Sequence, residues 1–143
     1  EEMKSGDIKD LLPQRAPILM VDELLEVNGE EAQTSFAVHP GNFFLDEEGR
    51  LEASGVIEHI AQSASAFAGY TALLTGATKP PVGYIGEVKD FRCHHHPQVG
   101  EELRTTIRLG AEAGGIILLS GKTCVGKETV AETQMKIFIQ PND

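Results

Sequence analysis

The chain has 143 residues, 41% of them apolar and 24% charged, which suits one domain with a single sizeable core and excludes a disordered chain. Twelve Lys and Arg against 22 Asp and Glu leave a net charge of −10, which argues against nucleic acid and anionic membrane as main partners, since both are held by cations. No apolar run approaches the roughly 20 residues of a membrane span and no signal-peptide pattern opens the chain, so the cytoplasm is the expected compartment.

Residues 7–12 read as a short helical turn stopped by Pro13. Residues 18–21, Ile-Leu-Met-Val, suit a buried segment, and residues 22–27 run as a strand to Asn28-Gly29, a two-residue hairpin signal. The return strand is 32–38, where Ala32, Thr34, Phe36 and Val38 alternate with polar or small residues. His39-Pro40-Gly41-Asn42 ends it, and a polar loop follows through residues 46–50.

Residues 55–70 form the one long helical pattern, bounded after it by Gly76 and Pro80-Pro81. With Ile57 as stripe centre, Ile60, Ala61, Ala64 and Ala68 return to one face at three- and four-residue steps. The stripe is built of small side chains, which lets a curved sheet approach closely. Glu58 stands about 100° from the stripe centre, with Gln62 and Ser65 on the same flank. A carboxylate at the edge of a buried face needs a partner or a task. His59 falls roughly 160° from the stripe centre and is expected at the surface or an interface.

Everything after the helix reads as strand: 82–93, with Gly83 and Gly86 marking a bulge or a close approach, then 102–109, 116–125 and 129–139. One helix among five or six antiparallel strands predicts a single α+β domain over 1–143, its sheet wrapped on the central helix. Such a sheet has exposed edges, so edge-to-edge dimerisation is expected. Cys93 and Cys124 lack metal-ligand spacing and read as buried thiols, with a disulfide as the alternative. In His94-His95-His96 only the first and third share a strand face and no carboxylate completes a set, so no metal site is expected. Lys89, Arg92 and His94 read instead as a local basic patch.

Three motifs now carry a resemblance. Residues 11–22, LLPQRAPILMVD, the helix run Glu58-His59-Ile60-Ala61-Gln62, and Arg92 followed by residues 94–101, HHHPQVGE, resemble the β-hydroxyacyl–acyl-carrier-protein dehydratases of the hot-dog fold. The likeness spans residues 8–139, and the segment 42–51, NFFLDEEGRL, is most similar to the dehydratases of aryl polyene pathways. The resemblance implies a hot-dog fold and a homodimer joined through sheet edges, with a higher oligomer or a heterodimer with a related dehydratase as further possibilities. It also implies acyl tunnels at the interface and no metal or cofactor. In that family a histidine of one subunit and a helix carboxylate of the other remove water from a 3-hydroxyacyl thioester carried on acyl carrier protein, leaving the trans-2-enoyl thioester.

Dehydration asks for a base near neutral pKa, an acid in an apolar wall and N–H donors for the thioester oxygen. On the resemblance, Glu58 is the catalytic carboxylate and His39, from His39-Pro40-Gly41, the base. A second alignment sets Asn42-Phe43-Phe44 on the family's Asn-x-x-Phe-Phe; the histidine slot then falls within Asp46-Glu47-Glu48 and no base is present. Gln62 is expected to orient Glu58 or the acyl group, and Gly55, behind Ser54 at the helix N-terminus, to offer an amide. Phe43, Phe44 and Phe67 can line the tunnel, and Arg15, Lys89 and Arg92 can receive the acidic carrier protein. Two rivals stay open: an acyl-thioester hydrolase on the same fold, and a non-catalytic subunit paired with a complete dehydratase.

Overall fold

The computed structural model describes residues 7–79 and 81–140, so Pro80, expected beyond the helix end, lies outside the described residues. After a 3-10 turn, η1 (Ile8–Asp10), the elements run β1 (Glu23–Asn28), β2 (Glu31–Ala37), α1 (Ala53–Leu74), β3 (Val82–Cys93), β4 (Glu102–Ala113), β5 (Ile116–Val125) and β6 (Glu128–Gln140). The strands make one antiparallel sheet in the order β1-β2-β4-β5-β6-β3, leaving β1 and β3 as its edges. This is the hot-dog fold: one long helix lying in a six-stranded sheet.

Two features let the sheet wrap. Four of the five strand pairs carry a register shift, and β3·β6 carries two, at Ile85/Glu87 and Lys89/Arg92. Each bulge bends its strand and adds twist. Glycines then bring the inner face against the helix: a Cβ on Gly121 would stand 2.5 Å from Ile60 Cγ2, and one on Gly83 would stand 2.5 Å from Ser65 Oγ. The first hairpin turns at Gly29-Glu30, one residue later than expected, because Asn28 pairs with Glu31 and Gly29 takes the left-handed φ of +65°.

The helix begins at Ala53, two residues ahead of the expected start, with Glu52 as N-cap, so Glu58 stands in the second turn. The face nearest the sheet is also not the one centred on Ile57, which is half-buried. Val56, His59, Ile60, Ser63, Ala66 and Phe67, each 0–2% exposed, recur at steps of three and four and form the face under the sheet. The true stripe centre is displaced by about 100°, one residue around the wheel. His59 therefore sits under the sheet, 0% exposed, contrary to its expected place at the surface or an interface. Buried hydroxyls serve this face: Ser63 Oγ meets Thr34 Oγ1 at 2.7 Å.

Candidate active site

Turning the stripe carries Glu58 to the side of α1 that looks away from the sheet centre. There Glu58, Ala61, Gln62 and Ser65 share one face, at steps of three and four, and line a cleft of about 250 Å³ with residues 82–85 of β3 and Gln14. The cleft opens beside β3, a free edge of the sheet. Gln62 is 1% exposed and its amide is fully used. It donates to Glu58 Oε2 at 2.8 Å and to the Ile18 carbonyl at 3.0 Å, and its Oε1 accepts from the Met20 amide at 2.6 Å. One side chain thus fixes the carboxylate and pins the 18–20 segment across the helix.

His59 closes the same clamp from below. Its Nδ1 donates to the Met20 carbonyl at 2.6 Å, so the neutral ring leaves Nε2 as acceptor for the Thr105 hydroxyl at 2.6 Å. Thr105 Oγ1 in turn lies 2.7 Å from Thr123 Oγ1. Both backbone groups of Met20 are therefore held by α1, the N–H by Gln62 and the C=O by His59. Burial pushes the His59 pKa down to about 4, against the raising effects of the Met20 hydrogen bond and of Asp22, so the ring is neutral at physiological pH.

The other expected residues scatter around this cleft. His39 is exposed at the end of β2; its Nε2 stands 3.7 Å from Asp22 Oδ1 and its ring packs edge-on against Phe36 at 5.7 Å. Three strands, β4, β5 and β6, separate β2 from the β3 edge in the sheet order. The Gly55 amide already donates to the Glu52 carbonyl at 2.9 Å, and a Cβ at Gly55 would stand 2.5 Å from the Phe44 Cβ. Gly55 and Phe44 are thus packed against each other at the helix start. Phe43 is 64% exposed and Phe67 belongs to the core. Arg92 and Asp90 line a separate, larger polar hollow of about 700 Å³ with Arg108, Lys122, Glu31 and Glu132, which contains no residue of α1. The residues that flank the Glu58 cleft are Lys9, Arg15 and Lys79, around a small hollow that shares Val82 with it.

With this geometry in hand, the likeness to other proteins becomes specific. The family profile described as ApeP-like, ApeP dehydratase, matches residues 6–143. The chain belongs to the ApeP-like dehydratase family. Among relatives of this family member, the 3-hydroxyacyl-[acyl-carrier-protein] dehydratase FabZ of Natranaerobius thermophilus is 30% identical over 133 residues, covering 91% of this chain and 92% of the relative. FabZ of Syntrophotalea carbinolica is 29% identical over 140 residues, covering 94% and 93%. The dehydratase heterocomplex ApeI:P from Xenorhabdus doucetiae contains a chain that superposes with a TM-score of 0.88, covering 98% of this chain and 94% of that one at 17% identity, and so shares its fold.

Against the family's helix signature, this ApeP-like chain adds features that sequence reading missed. The structural work of His59 was hidden by the misplaced stripe centre; its step of three from Val56 and four to Ser63 was the available signal. The histidine triplet divides its labour. His94 Nε2 faces Glu132 at 3.2 Å, His95 Nε2 faces Glu101 at 3.2 Å, and His96 Nδ1 donates to the Leu51 carbonyl at 2.7 Å. Cys93 and Cys124 are free and half-buried, and burial raises the Cys93 thiol pKa, which favours the protonated thiol.

Proposed function

We propose that this chain dehydrates 3-hydroxyacyl groups carried on acyl carrier protein, in fatty acid or aryl polyene-type synthesis, and works as a dimer joined through β3. The reading is supported by one observation above others: Glu58 is held by Gln62 at 2.8 Å, facing a cleft that opens beside a free sheet edge. In the proposed step Glu58 protonates the 3-hydroxyl as the Cβ–O bond breaks. An imidazole takes the α-proton, the C–H electrons form the Cα=Cβ bond, and water leaves. The proton taken by the imidazole returns to Glu58, restoring both groups. No step calls for a cofactor. The FabZ relatives name this reaction and its carrier-borne substrate, and their likeness is the basis for both here.

The carrier is acidic, and this chain is too, so docking depends on local charge. Lys9, Arg15 and Lys79, with Asp10 as the one acid of that hollow, supply a basic rim beside the Glu58 cleft. Arg15 is fixed there by hydrogen bonds to the Leu12 and Gln14 carbonyls, each 2.8 Å. Lys89 and Arg92 lie on β3 outside this rim.

A second reading has this chain as one subunit of a mixed dimer with a related dehydratase. It is favoured by the ApeI:P neighbour, a dehydratase heterocomplex, and by the place of His39, whose contacts are Asp22 and Phe36 and not the cleft. One assay separates the cases: incubate the purified protein with 3-hydroxyacyl–carrier protein and follow enoyl absorbance and free thiol. Enoyl without thiol is the expected result. Free thiol would assign a hydrolase, and neither product would assign a subunit that needs a partner.

A further inference from the structure

We infer that the base is His96, delivered to Glu58 from the partner subunit across paired β3 strands; the inference rests on the dehydratase reading and assigns its missing imidazole. The first support is the ring itself. His96 is exposed and its Nδ1 donates to the Leu51 carbonyl at 2.7 Å, so that in the neutral ring the lone pair lies on Nε2. Among the described residues Nε2 has no partner, whereas the Nε2 atoms of His94, His95 and His39 each face a carboxylate. A general base needs that arrangement: one nitrogen anchored, the other free.

The ring is also carried on a rigid mount. The Leu51 amide donates to the Pro97 carbonyl at 2.7 Å and Arg50 bridges Gln98, so the 96–98 segment is tied to the residues that lead into α1.

The second support is symmetry. Two copies that join at β3 and keep both helices on one side of the continuous sheet must meet antiparallel, about a two-fold axis. Residues 82–85 of β3, which line the Glu58 cleft, then lie opposite the far end of the partner's strand, and the His94-His95-His96 segment follows directly from that end. The bulge between Lys89 and Arg92, with Asp90 at a φ of +51°, bends β3 where the partner's cleft would begin. His39, at the end of β2, is on no strand that such a pairing joins. In the step, the Cα–H bond breaks and its proton passes to His96 Nε2 of the partner subunit. The Cα=Cβ bond forms as the Cβ–O bond breaks, and the departing hydroxide takes the Glu58 proton.

The test uses two measurements on the whole protein. His96→Asn keeps an N–H donor for the Leu51 carbonyl and removes the basic nitrogen, so it separates chemistry from anchoring. Enoyl formation is expected to fall by ~100-fold or more in kcat, the scale of lost general base catalysis, with little change in KM or melting temperature. His39→Ala is expected to stay within about threefold of wild type, as an exposed side chain outside the site would. Separately, Glu58→Cys/His96→Cys in a Cys93→Ser/Cys124→Ser background is expected to give a covalent dimer with a short dithiol-reactive crosslinker. An active wild type matched in rate by His96→Asn would overturn the role of His96 alone, as would a covalently silent double-cysteine dimer. A wild type without turnover would overturn the dehydratase reading, and the catalytic role of His96 with it, even where the crosslink forms.

Discussion

Burying an imidazole is unfavourable unless both nitrogens are satisfied and the ring stays neutral. His59 meets both conditions through Met20 and the Thr105–Thr123 hydroxyl pair. Its folded pKa of about 4 lies below the ordinary 6.5, so the unfolded chain takes up a proton before the folded one does. The contribution to stability is complete above pH 6.5, falls as pH drops through the window from 6.5 to 4, and levels off below it. A shift of that size corresponds to roughly 3 kcal/mol. Denaturant titrations across that window should show the loss in wild type and a flatter profile in His59→Gln, which keeps polar atoms but does not titrate. Parallel profiles would show that His59 does not set the acid response.

At the level of elements, the wrap of the sheet depends on how closely β5 approaches α1. Gly121→Ala places a Cβ 2.5 Å from Ile60 Cγ2 and 3.3 Å from Ile107 Cδ1, and is expected to cost ~1–3 kcal/mol by overpacking. In an Ile60→Ala background the same substitution should cost much less, because the obstructing Cγ2 is gone; a double-mutant cycle on thermal unfolding measures that coupling. β3 and β5 were legible in the sequence to the residue, since glycine turns and proline bound them and the shape of the sheet does not alter alternation. The helix was legible as an element but not in its rotation. A stripe of alanines and serines has almost no moment to orient it, and a sheet that wraps the helix buries residues nearly all round, so Ile57 and Val56 compete as centre. Glu58 and Gln62 could be paired from their spacing of four. The clamp on residues 18–20 could not, because it joins positions some forty apart through main-chain atoms.

For the whole molecule, the single chain holds Glu58 in a cleft that opens beside β3, an edge strand of the sheet, and belongs to a dehydratase family. Local charge should govern which thioester reaches it. Lys79→Glu is expected to raise KM for the carrier-bound substrate several-fold, to leave KM for a free pantetheine thioester unchanged, and to lose its effect as salt rises. Equal effects on both substrates would place Lys79 outside any docking role. The most direct measurement of the central claim is enoyl formation from 3-hydroxyacyl–carrier protein by Glu58→Gln beside wild type. The carboxamide that replaces the carboxylate can still accept from Gln62, so the fold and melting temperature should hold while kcat falls by ~100-fold or more. A Glu58→Gln protein that makes enoyl product at the wild-type rate would contradict the account.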